Sequence, residues 1–176
     1  IVASVKRDDP EAVYATGYFF TGGPLVAQLR AAGVKVPIIG SQAFDSGKLL
    51  EIAGSAANGL YIVDSFDRDR QDAQLKAFFT EFKKRAGYAP EGVAAAVYSS
   101  VAILADAMKR ANGLDPAKVR DALAATKNFP TLDGMLVGFN KLHEVIMPVN
   151  VNIIKDGRFV SYAEINDLNV VAPPEQ

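Results

Sequence analysis

Short apolar runs, each followed by a turn and then by apolar positions at helical spacing, fill the first third of this chain of 176 residues. Residues 11–17 read as a buried strand. Pro24 stands at or near the first turn of a helix, where its missing N–H costs nothing. Leu25, Val26 and Leu29 share one face of that helix, which runs to Ala32 and stops at Gly33. Residues 36–40 form the next strand. Ser46 or Asp45 caps a helix that reaches Ala53 and ends at Gly54, and residues 60–63 form a third strand. This alternation predicts parallel pairing with right-handed crossovers.

The pattern changes after Ser65. Residues 66–72 are polar and charged, a crossing from the sheet to a helical region. A helix over residues 72–85 is expected to bury Leu75, Phe78, Phe79 and Phe82. A second, over residues 92–111, carries Val93, Val97, Val101, Leu104 and Met108 on one stripe. Asp115 and Pro116 open a third as N-cap and first helical residue. Strands are expected over residues 134–139 and 149–154, the latter turning at Lys155-Asp156-Gly157-Arg158 into a return strand through Tyr162. Residues 1–7 read as the last turns of a helix, which suggests a cut piece of a longer protein, and residues 164–176 as a loose tail.

Composition narrows the function. A hydrophobic content of 49% is ample for a core. A net charge of −1, with Lys and Arg scattered, gives no electrostatic reason to bind nucleic acid. The longest apolar run, residues 93–105, is shorter than the roughly 20 residues of a membrane span. With no cysteine there is no thiolate nucleophile, and a single histidine, His143, argues against a histidine metal site or a serine–histidine triad. There is no nucleophile elbow and no dinucleotide fingerprint, so no enzyme activity and no cofactor is expected. Loops after parallel strands lie at the carboxyl ends of an open sheet, where ligands bind. Tyr18 and Gln42 occupy equivalent places on neighbouring units and can share a cleft. Thr21-Gly22-Gly23 reads as a tight turn.

Six segments in order resemble the periplasmic branched-chain amino-acid binding proteins, the solute-binding components of ABC importers. They are Pro10-Glu11-Ala12-Val13-Tyr14-Ala15-Thr16-Gly17-Tyr18-Phe19, Val36-Pro37-Ile38-Ile39-Gly40-Ser41, Ile52-Ala53-Gly54-Ser55-Ala56-Ala57-Asn58-Gly59, Tyr98-Ser99-Ser100-Val101-Ala102-Ile103-Leu104, Asp115-Pro116-Ala117-Lys118-Val119-Arg120-Asp121-Ala122-Leu123, and Ile154-Lys155-Asp156-Gly157-Arg158-Phe159. The resemblance implies an α/β type I periplasmic binding fold, with doubly wound parallel sheets in two lobes, of which this is the carboxyl-terminal portion. On that scheme residues 1–65 belong to the second lobe, 66–145 return as helices to the first, 146–163 form a final hairpin back to the second, and 164–176 are a tail. It further implies a periplasmic location, a membrane permease as partner, and self-association or a missing amino-terminal half.

The same resemblance places Tyr18 and, beside it, Phe19 and Phe20 at the cleft, with Val93 as a first-lobe ligand contact. Asp64, Ser65 and Phe66 fall where the chain crosses between lobes and are hinge candidates. At Gln42 the family carries an acid that pairs with the ligand's ammonium. Glutamine cannot neutralise a buried ammonium. The expected ligand is therefore a small organic acid, aromatic acids included, with leucine-like amino acids second. Asp45 is an alternative counter-charge, though a helix cap is the simpler role. A sensory domain of the same fold is the main alternative function.

Overall fold

The computed structural model describes residues 1–67 and 69–174. Arg68, inside the charged crossing segment, and the last two residues of the expected tail lie outside the described residues. Two compact units emerge: Ile1–Arg70 with Glu91–Val93 and Asn150–Ala163, and Gln71–Pro90 with Ala94–Val149 and Glu164–Gln176.

The first unit holds a five-stranded sheet, ordered β1-β2-β3-β8-β9. Strands β1 (Val13–Ala15), β2 (Ile38–Gly40) and β3 (Leu60–Asp64) are parallel, as expected. The sheet is mixed, because β8 (Val149–Lys155) runs antiparallel to β3 and β9 (Arg158–Ile165) returns beside it. Asp156 and Gly157, at φ 50° and 69°, make the expected tight hairpin, since two consecutive left-handed residues match the strand twist. Helix α1 (Val2–Asp8) precedes the sheet; α2 (Phe19–Ala31) and α3 (Gly47–Ala53) connect its parallel strands. Val26 and Leu29 of α2, Leu49 and Ala53 of α3, and Ile38, Leu60, Ile62 and Ile154 of the sheet form one apolar core. Ser46 caps α3 by accepting the Lys48 N–H, and Gly54 ends it.

Several expectations are corrected here. Strand β1 is short and lies at the sheet edge, so Tyr14 is exposed rather than buried. Helix α2 begins at Phe19, which puts Pro24 inside it rather than in its first turn. By the i→i−4 rule, the proline withholds a donor from the Phe20 carbonyl. Thr21-Gly22-Gly23 is likewise helical, not a turn. Its glycines serve close packing: a Cβ on Gly22 would lie inside the ring of Phe44, and one on Gly23 would meet Ile52 Cγ2 at 2.8 Å. Gly40 of β2 faces the same ring.

In the second unit lie α4 (Ala73–Ala86), capped by Asp72, most of α5 (Gly92–Arg110), and α6 (Pro116–Ala124), capped by Asp115 as expected. Arg110 joins the last two, donating to the Ala122 carbonyl at 2.6 Å and to Thr126 Oγ1 at 2.7 Å. Only Leu75 of α4 is fully buried; Phe78, Phe79 and Phe82 are half-buried, with Phe78 against Tyr98. The apolar stripe of α5 faces outward, with Val97 58% and Val101 62% exposed, whereas Ala95, Ser99 and Ala107 face inward. The small residues allow close packing, and Ser99 Oγ accepts the Leu132 N–H. Length and composition would let α5 cross a membrane, which the shorter apolar run had argued against, but its start and end are both bonded within folded units.

The expected single strand near residue 134 is split by Val137 into β5 (Gly134–Leu136), paired with β4 (Phe129–Thr131), and β6 (Gly138–Phe139), paired with β7 (Val145–Ile146). The tail is more ordered than expected: β9 extends into it, and a short helix α7 (Leu168–Val171) follows.

The Phe44 contact generates a stability prediction. Gly22→Ala forces the ring out of its seat and is expected to cost about 1–3 kcal/mol, the range for overpacking a core. Gly47→Ala, where a Cβ meets open space, is expected to be neutral or slightly stabilising. Urea unfolding of the two variants checks this, and equal midpoints would contradict it.

Candidate ligand-binding site

Ala15 pairs with Gly40, and Gly40 with Ile62, so β1, β2 and β3 end at one edge of the sheet. The turns that follow carry Tyr18, Gln42 and Asp64. Ser41 Oγ donates to the Gly17 carbonyl across the first two turns. Thr21 fixes the start of α2, its hydroxyl donating to the Tyr18 carbonyl at 2.9 Å and accepting the Tyr18 N–H at 3.2 Å. Tyr18 is 61% and Phe20 57% exposed, their rings stacked at 5.5 Å. Phe19 turns inward against the core, with its ring edge-on to Phe20. Val93, at the start of α5, is exposed. A cavity of about 500 Å³, lined by Arg30, Lys35, Pro37 and Tyr61 among others, opens instead at the amino ends of β2 and β3.

Gln42 begins the one-turn helix Gln42–Phe44 and is half-buried. Its Nε2 donates to Asp64 Oδ1 at 2.8 Å and to Ser65 Oγ at 3.3 Å. The Gln42 Nε2 group is thus committed within the protein. Sequence reasoning named Asp64 only as a hinge candidate. The signal for its other role lay in the alternation of Leu60, Ile62 and Asp64, which puts its carboxyl on the core face of β3.

Asp64 Oδ1 also accepts the Ser65 N–H at 2.7 Å and the Phe66 N–H at 3.2 Å. The carbonyls of Ser65 and Phe66 accept from Asn150 Nδ2 and Asn152 Nδ2. Phe66 is fully buried, so the expected hinge segment is tied at both residues that follow Asp64. Asp45, considered above as a cap for α3, is buried and accepts the Gly92 N–H at the amino end of α5. Beside it Glu91 accepts from Ser46 Oγ and the Gly47 N–H. Gly92 permits this approach, because a Cβ there would meet Asp45 Oδ2 at 2.8 Å and Asp64 Oδ2 at 2.9 Å.

Asp64 Oδ2 receives no donor from the described residues. It faces Asp45, and two carboxyls can hydrogen-bond only when one holds a proton. Burial, then the charge of Asp45, raises Asp64 from the ordinary 3.8 to about 7, against the opposing effect of the Phe66 and Ser65 N–H groups. His143, by contrast, lies on an exposed loop.

In open α/β sheets the carboxyl edge of the parallel strands, where these polar and aromatic side chains lie, is the edge at which ligands bind. The family model for periplasmic binding proteins matches residues 1–158, and the chain belongs to that family. It is 30% identical over 144 residues to a leucine-, isoleucine-, valine-, threonine- and alanine-binding protein of Pseudomonas aeruginosa, a match covering 80% of this chain and 37% of the relative. A crystal structure of a leucine-binding protein from Thermotoga maritima superposes with a TM-score of 0.85 at 27% identity, covering 96% of this chain and 48% of that one. A benzoate-bound solute-binding protein from R. palustris shares the fold, with a TM-score of 0.77 at 22% identity over 93% of this chain and 45% of its own. The chain thus spans about half the length of these structures, and less of the P. aeruginosa relative.

The buried acid predicts a pH dependence. Between pH 3.8 and about 7 the folded protein holds more protons at Asp64 than the unfolded chain does. Stability at this site therefore falls as pH rises through that window, by an amount on the order of 4 kcal/mol. Asp64→Asn removes the ionisation and is expected to be more stable than the parent at about pH 8, with the advantage gone near pH 4. Thermal unfolding at both pH values checks this; a pH-independent difference would contradict it.

Proposed function

We propose that this chain supplies ligand contacts to an extracytoplasmic solute-binding protein that delivers a small carboxylate-bearing molecule, an amino acid or an aromatic acid, to an ABC permease. Its setting is the periplasm and its role is binding, not catalysis. The observation that carries this reading is that exposed, stacked Tyr18 and Phe20 and half-buried Gln42 all follow the carboxyl ends of parallel strands, in a chain of the periplasmic binding family. Exposed aromatic rings supply apolar area and stacking, worth about 0.5–1.5 kcal/mol beyond burial. The amide supplies a directional polar contact. Phe19 supports Phe20 from the core side, and Val93 adds an apolar contact from the start of α5.

A thermal-shift screen of the natural full-length protein against aliphatic amino acids, keto acids and benzoates tests this. At least one class is expected to raise the melting temperature, and Tyr18→Ala to weaken its binding about tenfold or more, in the range of a buried aromatic contact. No shift with any class, or turnover of a ligand, would contradict the reading.

Closure over the ligand is proposed to turn on Asp64, Ser65 and Phe66, with the side chains of Asn150 and Asn152 as tethers that limit the rotation. Crystal structures with and without ligand are expected to differ in the backbone dihedrals of these three residues. Lobe movement with unchanged dihedrals there would place the hinge elsewhere.

A further inference from the structure

This inference rests on Gln42 as a ligand contact and concerns what stands behind it. An amide offers two N–H donors on one side and a carbonyl acceptor on the other. In Gln42 the nitrogen is spent on Asp64 Oδ1 and Ser65 Oγ. Among the described residues nothing donates to the carbonyl oxygen, and that oxygen is not sealed from solvent. Asp64 sets this orientation. Its Oδ1 accepts three N–H groups, from Gln42, Ser65 and Phe66, and an amide turned the other way would press its oxygen against that acceptor. A proton on the Asp64–Asp45 pair belongs on the far oxygen, Oδ2, so the orientation holds whether or not the pair is protonated.

We propose that Asp64 is a positioning residue for ligand selection. It holds the Gln42 amide with its carbonyl outward, so that the site takes a ligand bearing a primary ammonium ahead of an otherwise equal ligand without one. This reverses the preference expected from glutamine alone. A carboxylate group brought to this spot meets a carbonyl oxygen backed by an acid, whereas an ammonium meets an acceptor with a negative charge one hydrogen bond behind it.

The groups around the Asp64 carboxyl are Gln42, Ser65 and Phe66, Asp45 from the segment before α3, Gly92 at the start of α5 with Glu91 one residue earlier, and Asn150, paired with it on β8. A cation at Gln42 Oε1 favours the ionised form of Asp64 against its acidic neighbours. Ammonium binding and proton loss therefore assist each other, and the ligand binds more tightly as pH rises through the region of about 7.

Isothermal titration calorimetry of the natural full-length protein with leucine and with ketoleucine, which replaces the amine by a keto oxygen on the same skeleton, separates the cases. Leucine is expected to bind about tenfold or more tightly, the scale of one charge-assisted hydrogen bond. Its affinity is expected to rise from about pH 6 to about pH 8 while that of ketoleucine does not follow. Asp64→Ala frees the amide and is expected to bring the two ligands within about threefold of each other. Asp64→Asn keeps an acceptor for Gln42 Nε2 but loses the charge, so it is expected to retain a leucine preference with a flat pH profile. Should Asp64→Ala not fold, the parent and Asp64→Asn profiles decide. Ketoleucine or benzoate binding as tightly as leucine, or an Asp64→Ala protein with the parent's preference, overturns the inference while leaving the solute-binding reading intact. Binding of no ligand in the wider screen overturns both.

Discussion

The ring of Phe44, seated on Gly22 and Gly40, is the contact on which the site depends. It joins the first turn-and-a-half of α2, the end of β2 and the turn that carries Gln42. Tyr18 lies one helical turn before Gly22, and Gln42 two residues before Phe44. Neither can shift without moving the ring or opening a gap beneath it. Protein interiors are packed densely enough that such a gap is costly. The apolar core thereby holds two polar-edge residues whose own contacts with solvent give them little restraint.

Electrostatics adds a second layer. Asp45 tethers the amino end of α5, where the helix dipole favours a negative group, and Glu91 does the same for the start of α3. These contacts bring Asp45 and Asp64 together away from water. The unfavourable carboxyl pair is offset by the N–H groups at Asp64 Oδ1, and those same N–H groups belong to Gln42 and to the backbone leaving β3. A buried acid whose ionised form costs stability is a common mark of a functional position.

Much of the first unit was legible in the sequence, because apolar runs, caps and stops reported local rules. The cap at Ser46, the stop at Gly54, the cap at Asp115 and the turn at Asp156-Gly157 follow from backbone chemistry within a few residues. Pro24 misled because a cap supplied by Thr21 moved the helix start back, and the glycines beside it read as a turn when their partners, Phe44 and Ile52, lie far along the chain. The stripe on α5 had the right spacing but the wrong side: the small residues Ala95, Ser99 and Ala107 face inward, and periodicity does not say which face is covered. The places of Tyr18 and Gln42, just after parallel strands, were legible as well. The orientation of the Gln42 amide was not, because it is decided by an acid on a different strand.

That orientation is the centre of the account, and a ligand-bound crystal structure of the full-length protein at atomic resolution reads it directly. The account predicts a ligand nitrogen within about 3 Å of Gln42 Oε1, with Nε2 still on Asp64. A ligand carboxylate oxygen accepting a hydrogen bond from Gln42 Nε2, with the contact to Asp64 broken, would contradict it.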